Sequence, residues 1–559
     1  MAKVGVLLDR EETEKQWKKG ENVFDRYLEE ILDHVRLPYK KIDSIEELDS
    51  FDLMMVACCP NTEAAQTKIL DYVENGGTVI SYGDLHCLKE RLGFSSHSIP
   101  AIGYAELSSF LNQSTSLRYL HADPWVYFGD QLEIQQFGAL LEGNGDALLQ
   151  IKYGKGTIER WAVSIPQTIV GLQQGTAPIT EDGVPAPDGS ANLDEEILKA
   201  DDGFMLDWDL DRTVTETGMP YFPHPYADLW REALIEHLVK CALDKNLTLP
   251  FIDYWPAGVE HVALISHDSD LNVDESAQIT LDTLKEEGVQ STWCMIVPGY
   301  NPSIYNQIKA DGHELALHYN ALESDNGIWS ESAFHAQLTW LQQTVGIEQV
   351  TSNKNHYTRF EGWGEFFTWC EKYGIQADQS RGPSKRGNIG FLFGTCQPYF
   401  PIAWADEKNR IYDVLEIGFL TQDLNHNTLA DATVIEPFLE GVKRVNGVAH
   451  FLFHQIHIYQ QPPVREAIIQ LIRMARQQGF SFWTSKQIND WERVRRQVKI
   501  IEVSEENGVV LSENSVADKL VILMPVPKED AQTVKRFGLH CKMVSATNHL
   551  LKEAECWRV

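Results

Sequence analysis

The chain has 559 residues, a length that is too great for one hydrophobic core and that predicts about three or four domains. Its hydrophobic content of 43% and aromatic content of 10% are ordinary for a soluble globular protein. A formal net charge of -33 without a basic patch argues against nucleic acid and anionic membranes as partners. No apolar window of about 18 residues is present, so no membrane span is expected.

The N-terminal stretch and the cysteines bear on the cellular compartment. Met1 to Asp9 is interpreted as a first strand, and it lacks the long apolar stretch and the small-residue cleavage site of a signal peptide. The nine cysteines show no CxxC spacing, and Cys58 and Cys59 are adjacent inside an apparent strand. These features predict a cytoplasmic protein with reduced thiols, without a disulfide framework or a cysteine-based zinc site.

Residues 1–95 alternate strands and helices, which predicts a doubly wound parallel sheet. The run from Tyr72 to Ile80 resembles the Tyr-Val-x-x-Gly-Gly-x-Val-Ile pattern of glutamine-amidotransferase-like Rossmannoid domains. Active amidotransferases carry a Gly-x-Cys-x-Gly elbow, whereas Cys58 and Cys59 lack flanking glycines. The segment is therefore predicted to be a non-catalytic binding or structural domain.

Residues 96–256 are predicted to form a β-rich extension and a connecting helix. A hairpin is expected over 148–158 around Gly154-Lys155-Gly156, and an amphipathic helix over 226–243. The segment 176–211 is loop-like and rich in Gly, Pro, Asp and Glu. Its acidic run is interpreted as solvated surface rather than as a metal site; the run comprises Asp194, Glu195, Glu196, Asp201 and Asp202.

Residues 257–497 alternate strands and helices over a length suited to a (β/α) barrel, and residues 498–559 are predicted to be a small β-rich domain. The apolar run 262–265 predicts a buried strand, and Asp268 and Asp270 follow at its end. Two such carboxylates repel each other unless a cation, a proton or a cationic side chain compensates them. One hypothesis is that one Asp holds a metal and the other acts as a base; the alternative is an Asx turn or a helix N-cap.

Other polar residues occur at comparable points along the predicted barrel. His318 ends an apolar-interrupted strand, Asp378 follows a helix, and the strand that starts at Val448 ends in His454 and His457. Each histidine alone is more often a core or surface residue than a ligand. Their recurrence at predicted strand ends, in step with Asp-x-Asp, favours a functional site.

These stretches resemble, in order, the motifs of the polysaccharide deacetylases, the NodB-homology or carbohydrate esterase family 4 fold. His267-Asp268-Ser269-Asp270 is similar to a His-Asp-x-Asp variant of the first motif, and residues 312–318 are similar to the second. Residues 355–359 resemble the third motif, 390–399 resemble a Gly-Phe-Arg-x-Gly-Thr-x-x-Pro segment, and 451–454 resemble the last motif. The resemblance implies a (β/α) barrel of NodB type.

The resemblance also implies a divalent metal, most often Zn²⁺, that promotes hydrolysis of an N-acetyl or related acyl group on a carbohydrate. Asp270 and His318 would be metal ligands. The usual second motif carries another histidine where this chain has Leu322, so one of the three usual protein ligands is missing. His356 is the best substitute and Glu323 the second.

The same resemblance implies roles for the remaining candidates. Asp268 would be the general base and His454 the general acid that protonates the leaving amine. The backbone N–H near Tyr357 would help to hold the oxyanion, and Arg359 or Asp378 would tune these groups electrostatically. Leu392 stands where the Gly-Phe-Arg segment has arginine.

Two other functions stay open. Leu322 favours a catalytically inactive carbohydrate-binding protein of the same fold, whereas the joint presence of Asp268, Asp270, His318 and His454 favours an enzyme. A metal-independent hydrolase of a non-sugar C–N bond would suit the missing ligand. A cytoplasmic enzyme would meet a soluble saccharide, a nucleotide sugar or a precursor glycan rather than a wall polymer. The sequence leaves the oligomeric state open.

Overall fold

The computed structural model describes residues 1–83, 85–143, 145–194, 197–426, 429–504, 508–512, 517–544 and 546–548. The chain divides into two compact units. The first comprises residues 1–168, 230–258 and 491–559, and the second comprises residues 169–229 and 259–490. This division differs from the predicted series 1–95, 96–256, 257–497 and 498–559, because each unit is assembled from separate segments of the chain.

The first unit is built on a seven-stranded mixed sheet. Its strands lie in the order Lys40–Ile42, Val4–Leu8, Leu53–Cys58, Thr78–Ser81, Gly156–Trp161, Leu148–Tyr153 and Glu133–Phe137. The first five strands are parallel, whereas Leu148–Tyr153 is antiparallel to both of its neighbours. The parallel sheet predicted for residues 1–95 is thus continued by later strands. A tight hairpin at Gly154 returns the chain directly, so it gives an antiparallel pair.

Helices and small sheets complete the first unit. The helix Glu63–Glu74 begins where Thr62 accepts a hydrogen bond from the backbone N–H of Ala65 at 3.2 Å. The other helices of this unit, or reaching into it, are Arg10–Lys18, Leu28–His34, Ile165–Gln174, Tyr226–Asp244 and Ser485–Gln497. The small sheets are formed by Ala139–Leu140, Gly103–Glu106 and Leu117–Tyr119; by Phe94–Ser96 and Trp125–Tyr127; by Phe251–Ile252, Ile522–Pro525, Leu539–Val544 and Thr533–Arg536; and by Ile500–Ser504, Gly508–Leu511 and Ala546–Asn548.

The second unit is built on a parallel sheet whose first strand, His261–Asp268, lies at its middle. The strand order is Leu415–Glu416, Ala377–Asp378, Ser352–Asn355, Glu314–Tyr319, Thr292–Met295, His261–Asp268, Val448–His454 and Thr421–Gln422, and Phe480–Phe482 also pairs with His261–Asp268. Every pairing in this sheet is parallel. Among the described residues the two end strands do not pair with each other, so the sheet is an open half-barrel compatible with the predicted NodB-type barrel.

Helices connect the parallel strands of the second unit. They are Asp274–Glu287, Pro302–Ala310, Glu331–Val345, Glu365–Tyr373, Ile435–Val445, Gln455–Gln460 and Pro462–Gln477. Glu331–Val345 starts at Ser330, whose hydroxyl accepts from the backbone N–H of Ala333, and ends at Gly346, where φ is 69°. A short hairpin joins Thr213–Val214 and Pro220–Tyr221. No helix in the described part of the chain is long and apolar enough to cross a bilayer.

Candidate functional site

Strand register brings the predicted site residues to one edge of the half-barrel. In the parallel pairing of the strands His261–Asp268 and Val448–His454, Asp268 lies opposite His454. Along the neighbouring strands, His318 lies opposite Lys354. Because all of these strands run in the same direction, their carboxyl ends meet at one edge of the sheet, where α/β proteins collect their chemistry.

Three of the predicted residues, Asp270, His318 and His356, form what is called here the open triad. His318 Nε2 lies 3.3 Å from Asp270 Oδ1, and His356 Nε2 lies 3.8 Å from the same oxygen. One ligand atom from each residue falls within 4.8 Å of the others. Burial alone would raise the pKa of Asp270, but the neighbouring imidazoles of His454, His318 and His356 hold it well below its usual range.

The two histidines of the open triad are oriented through their Nδ1 atoms. His318 Nδ1–H donates to the Lys354 carbonyl at 2.9 Å, and His356 Nδ1–H donates to Asn320 Oδ1 at 3.1 Å. This assignment leaves each Nε2 as a lone-pair donor that faces Asp270. Within the described structure, His318 Nε2 and Asp270 Oδ1 are buried without a hydrogen-bond partner.

These residues fit a divalent metal ion. Two neutral imidazole nitrogens and a carboxylate oxygen are a common donor set for catalytic Zn²⁺, and unpartnered buried polar atoms are costly unless a ligand satisfies them. Leu322 is buried, and its backbone N–H donates to Asn320 Oδ1 at 3.0 Å. Glu323 is exposed at the start of a short 3₁₀ turn and is not in the triad. Of the two substitutes for the missing ligand, the structure brings His356 to Asp270.

Asp268 lies beside the open triad and next to a buried cation. Its Oδ2 is 3.7 Å from His318 Nε2, and its Oδ1 is 3.5 Å from Lys354 Nζ. The Lys354 side chain is 1% exposed and donates to Ser266 Oγ at 2.6 Å. A lysine buried so fully requires a nearby anion, so Lys354 and Asp268 stabilise each other's charge.

On the other side of Asp270 lies a second set of the same residue types, Asp423, His454 and His457, called here the bonded triad. Asp423 is fully buried and accepts from the backbone N–H of His454 at 2.8 Å. Its Oδ2 also accepts from the Nδ1–H groups of His454 at 2.5 Å and His457 at 2.9 Å. His454 Nε2 then faces Asp270 Oδ2 at 3.4 Å.

Charge in the bonded triad favours a protonated His454. Burial alone would lower the pKa of His454, but the carboxylates of Asp423 and Asp270 raise it to about 10. Burial likewise opposes ionisation of Asp423, yet the His454 and His457 rings hold its pKa below the usual range. The arrangement therefore resembles an Asp–His pair that holds a proton, rather than a set of open metal ligands.

Tyr357 is held in an unusual backbone conformation at the rim of the site. Its φ is 57° and that of Thr358 is 54°, so two consecutive residues with side chains occupy the left-handed region. A β-branched residue such as Thr358 rarely adopts this conformation, and such strain concentrates at functional sites. The Tyr357 side chain is 52% exposed, and its ring meets the His356 ring edge-on at 4.9 Å.

Two predicted electrostatic residues make their described contacts away from the carboxylates of the triads. The Arg359 guanidinium pairs with Glu361 and donates to the Ala321 carbonyl. Asp378 accepts from Asn353 at 3.0 Å and from Ser380 at 2.9 Å, and burial raises the pKa of its carboxyl. The structure therefore brings together Asp268, Asp270, His318, His356 and His454, with Lys354 as the cation beside Asp268.

The whole bonded triad and two members of the open triad, Asp270 and His356, line one cavity of about 440 Å³. Its wall contains acidic and cationic side chains, histidines, a tyrosine and a small apolar group. The lining residues are Asp194, Lys199, Asp268, Asp270, Leu271, His356, Tyr357, Thr358, Ser384, Lys385, Gln422, Asp423, His426, Leu429, Leu452, His454, Ile456 and His457. A concave pocket with convergent polar groups is the usual form of a small-molecule site.

Sequence reasoning did not assign Lys354, Asn320 or Asp423 to the site. Lys354 lies two residues before His356 in the same polar run, and this proximity to a candidate ligand was a usable signal. Asp423 follows a strand of only two residues, Thr421–Gln422, which is too short to show a hydrophobic period. Asn320 reaches the site only through its hydrogen bond with His356, and no local sequence pattern indicates such a contact.

Comparison with known proteins yields neither a matching protein-family model nor a matching curated protein. Among solved structures, a candidate polysaccharide deacetylase from Mycobacterium smegmatis aligns with 44% of this chain and 94% of its own, at 16% identity and a TM-score of 0.33. The carbohydrate esterase 4 domain of a xylanase from the hindgut metagenome of Trinervitermes trinervoides aligns over 42% and 92%, at 17% identity and a TM-score of 0.26.

A family 42 β-galactosidase from G. stearothermophilus aligns with 29% of this chain and 27% of its own, at 14% identity and a TM-score of 0.22. Because all three TM-scores are low, the activities of these proteins are not transferred to this chain. The predicted amidotransferase-like domain stays a prediction.

Proposed function

We propose that the second unit is a metal-dependent hydrolase that removes an N-acetyl or related acyl group from a carbohydrate. The observation that carries the proposal is the open triad, in which two oriented imidazoles and a carboxylate face one another with unpartnered atoms. The carbohydrate substrate is suggested by the order of motifs along the chain.

Asp270, His318 and His356 would hold the metal. When bound, a divalent metal of this kind polarises a carbonyl group and lowers the pKa of water. Zn²⁺ suits the donor set, since two imidazoles and one carboxylate are among its usual ligands.

Asp268 is the proposed base. The Lys354 ammonium lies on one side of its buried carboxylate and the His318 ring on the other. A water molecule in the cavity next to Asp268 would deliver its proton to this carboxylate as it attacks the acyl carbon.

His454 is the proposed acid. Asp423 occupies its Nδ1 side, so the proton on Nε2 is the one that faces the cavity. Transfer of that proton to the leaving nitrogen would release the amine. The Tyr357 segment lies beside this space, and its backbone N–H is the proposed oxyanion donor.

The metal content of purified protein tests the first step of the proposal. Wild type should hold about one equivalent of Zn²⁺, and His318→Ala should lose it. His457→Ala is the matched control, because it removes a histidine that lines the same cavity without belonging to the open triad. Retention of metal by His318→Ala, or no metal in wild type after Zn²⁺ is supplied, would contradict the proposed site.

Hydrolysis is tested separately by acetate release from N-acetylated amino sugars. A metal-loaded wild type that binds sugar without release of acetate would favour the carbohydrate-binding alternative. Acetate or ammonia release from a metal-free protein would favour the metal-independent hydrolase.

A further inference from the structure

Two cysteines of the first unit lie in contact just below its surface. The Sγ atoms of Cys59 and Cys87 are 3.1 Å apart, although the two residues are 28 positions apart in the chain. Two carbon atoms in van der Waals contact lie about 3.5–4.0 Å apart, and sulfur is larger than carbon, so these sulfur atoms are closer than ordinary packing would bring them. An S–S bond is about 2.05 Å long, so an approach of about 1 Å would join the two side chains.

The backbone holds both cysteines in place. Cys59 directly follows the strand Leu53–Cys58, which pairs with a parallel strand on each side. Cys87 lies in the 3₁₀ turn His86–Leu88, where the N–H of the last residue donates to the Leu85 carbonyl at 3.0 Å. The contact therefore joins two hydrogen-bonded segments, and a bond between the sulfur atoms would require little movement of the backbone.

The pair is accessible to small molecules only. Cys59 is 8% exposed and Cys87 is 6% exposed, whereas Cys294 and Cys370 are completely buried. Both members of the pair belong to an apolar cluster, and the side chain of the adjacent His86 is 51% exposed. Because oxidation of a thiol requires access to its sulfur, a small uncharged oxidant suits this pair better than a bulky disulfide reagent.

The neighbouring Cys58 has different surroundings. Successive side chains of an extended chain point to opposite faces, so Cys58 and Cys59 are directed away from each other. Cys58 Sγ accepts a hydrogen bond from Gln16 Nε2 at 3.6 Å, and Cys58 is not a member of the apolar cluster that contains Cys59 and Cys87. The chain thus provides a second buried cysteine, one residue away, against which the pair can be compared.

We propose that Cys59 and Cys87 are a redox-active pair, which a peroxide converts into a disulfide and a thiol reductant converts back. The thiol that meets hydrogen peroxide attacks one of its oxygen atoms, the O–O bond breaks, and water leaves, which gives a sulfenic acid. The second thiol attacks this sulfur, the S–S bond forms, the S–O bond breaks, and a second water leaves. Two thiols are oxidised while one peroxide is reduced to two waters.

The disulfide would act as a clamp within the first unit. It would tie the end of the strand Leu53–Cys58 to the turn that follows the strand Thr78–Ser81, and the helix Glu63–Glu74 would lie inside the closed loop. Such a cross-link stabilises a fold by restricting the unfolded chain. The reduced thiols expected from the sequence would be one state of this pair, and no cysteine spacing motif indicates the other. The pair lies in the first unit and goes beyond the proposed function.

The test counts free thiols in the full-length protein before and after treatment with hydrogen peroxide. After denaturation, N-ethylmaleimide should add to all nine cysteines of the reduced protein and to two fewer after oxidation. Peptide mapping by mass spectrometry should find Cys59 linked to Cys87, and dithiothreitol should restore the reduced count. Absence of this cross-linked peptide from oxidised wild type, or a linkage between other cysteines in its place, would overturn the proposal.

Cys58→Ala is the matched control, because it removes the adjacent buried cysteine and leaves the pair intact. It should form the cross-link as wild type does, whereas Cys59→Ala and Cys87→Ala should each fail to form it. Circular dichroism before oxidation checks that the variants are folded, and the wild-type measurement stands without them. A cross-link that persists in Cys59→Ala and disappears from Cys58→Ala would refute the assignment.

Thermal unfolding tests the clamp. Oxidised wild type should unfold about 3–10 °C above reduced wild type, and Cys59→Ala should show no such shift on oxidation. A lower unfolding temperature for the oxidised wild type would contradict a disulfide that fits the native fold. Acetate release and metal content enter none of these measurements, so failure of the proposed hydrolase and failure of the redox pair are separate outcomes.

Discussion

The open triad and the bonded triad contain the same residue types, one aspartate and two histidines, yet their geometries suit different chemistry. In the open triad each histidine gives its Nδ1–H to a neutral oxygen, and the Nε2 atoms face Asp270 at 3.3 and 3.8 Å. In the bonded triad both Nδ1–H groups go to Asp423 itself. The hydrogen-bond partner of the histidine Nδ1 atoms thus decides whether such a set of one aspartate and two histidines can bind a metal or instead holds a proton.

The largest expected effects, on kcat and on metal content, come from the substitution of one histidine in each triad. His454→Gln should keep the metal and lower kcat roughly 100- to 10,000-fold, because the leaving nitrogen loses its proton donor. His318→Gln should instead lose the metal and with it the activity. Metal analysis and acetate-release kinetics on both variants check this, and loss of metal from His454→Gln would make the bonded triad part of the metal site.

Asp423→Asn should have a smaller effect of the same kind. The amide preserves the shape of the side chain, and asparagine tolerates the left-handed backbone, where φ is 43° at this residue. Loss of the charge that orients His454 should lower kcat about 10- to 100-fold while the metal content stays at the wild-type value. A kcat equal to that of wild type would show that Asp423 does not position the acid.

Asn320→Ala tests the orientation of the open triad. Without the acceptor for its Nδ1–H, His356 should bind metal about 10- to 100-fold more weakly, and excess metal should restore activity. Asn320→Asp, which retains an acceptor at the same place, is the matched control and should bind metal more tightly than Asn320→Ala. Competition with a chelator measures the affinities, and equal affinities in Asn320→Ala and wild type would remove His356 from the ligand set.

The smallest expected effect is on the free energy of unfolding of the metal-free protein and its dependence on pH. The pKa of His454 is raised from 6.5 to about 10, so its pairing with Asp423 stabilises the fold fully below pH 6.5 and ceases to do so as the pH rises through 10. The pKa of Asp423 is lowered from 3.8, so its contribution is present above pH 3.8 and lost in stronger acid. Urea unfolding should therefore show the largest difference between wild type and Asp423→Asn between about pH 4 and 6.5. A difference independent of pH would contradict the ion pair.

The sequence predicted the residues that lie at strand ends and missed those that act through another residue. Asp268 and His454 are the last residues of long strands and His318 is the last but one, the hydrophobic pattern of these strands is readable, and the structure brings the three residues together. Asp423 and Asn320 follow short or irregular segments, and their partners depend on strand order in three dimensions. The motif resemblance assigned Arg359 to the electrostatic tuning of the catalytic groups, whereas in the structure its guanidinium forms an ion pair with Glu361.

Prediction of the fold from local sequence patterns shows the same limit. Local patterns predicted the hairpin around Gly154, which the structure forms from Leu148–Tyr153 and Gly156–Trp161, and the helix over 226–243, which spans Tyr226–Asp244. They could not predict that strands 133–137 and 148–161 extend the first sheet, or that residues 169–229 join the second unit. Such long-range pairings depend on tertiary packing rather than on periodicity.

The strand order of the half-barrel has a consequence for how the site is assembled during synthesis. The open triad comes from residues 270–356, whereas the bonded triad comes from residues 423–457 and reaches Asp268 only when the last long strand pairs with the first. Contacts of such sequence separation form late, because a long loop must close first. In a growing chain the residues proposed to bind metal therefore come together before the proposed acid reaches them, and on the proposed mechanism metal binding would precede catalytic activity.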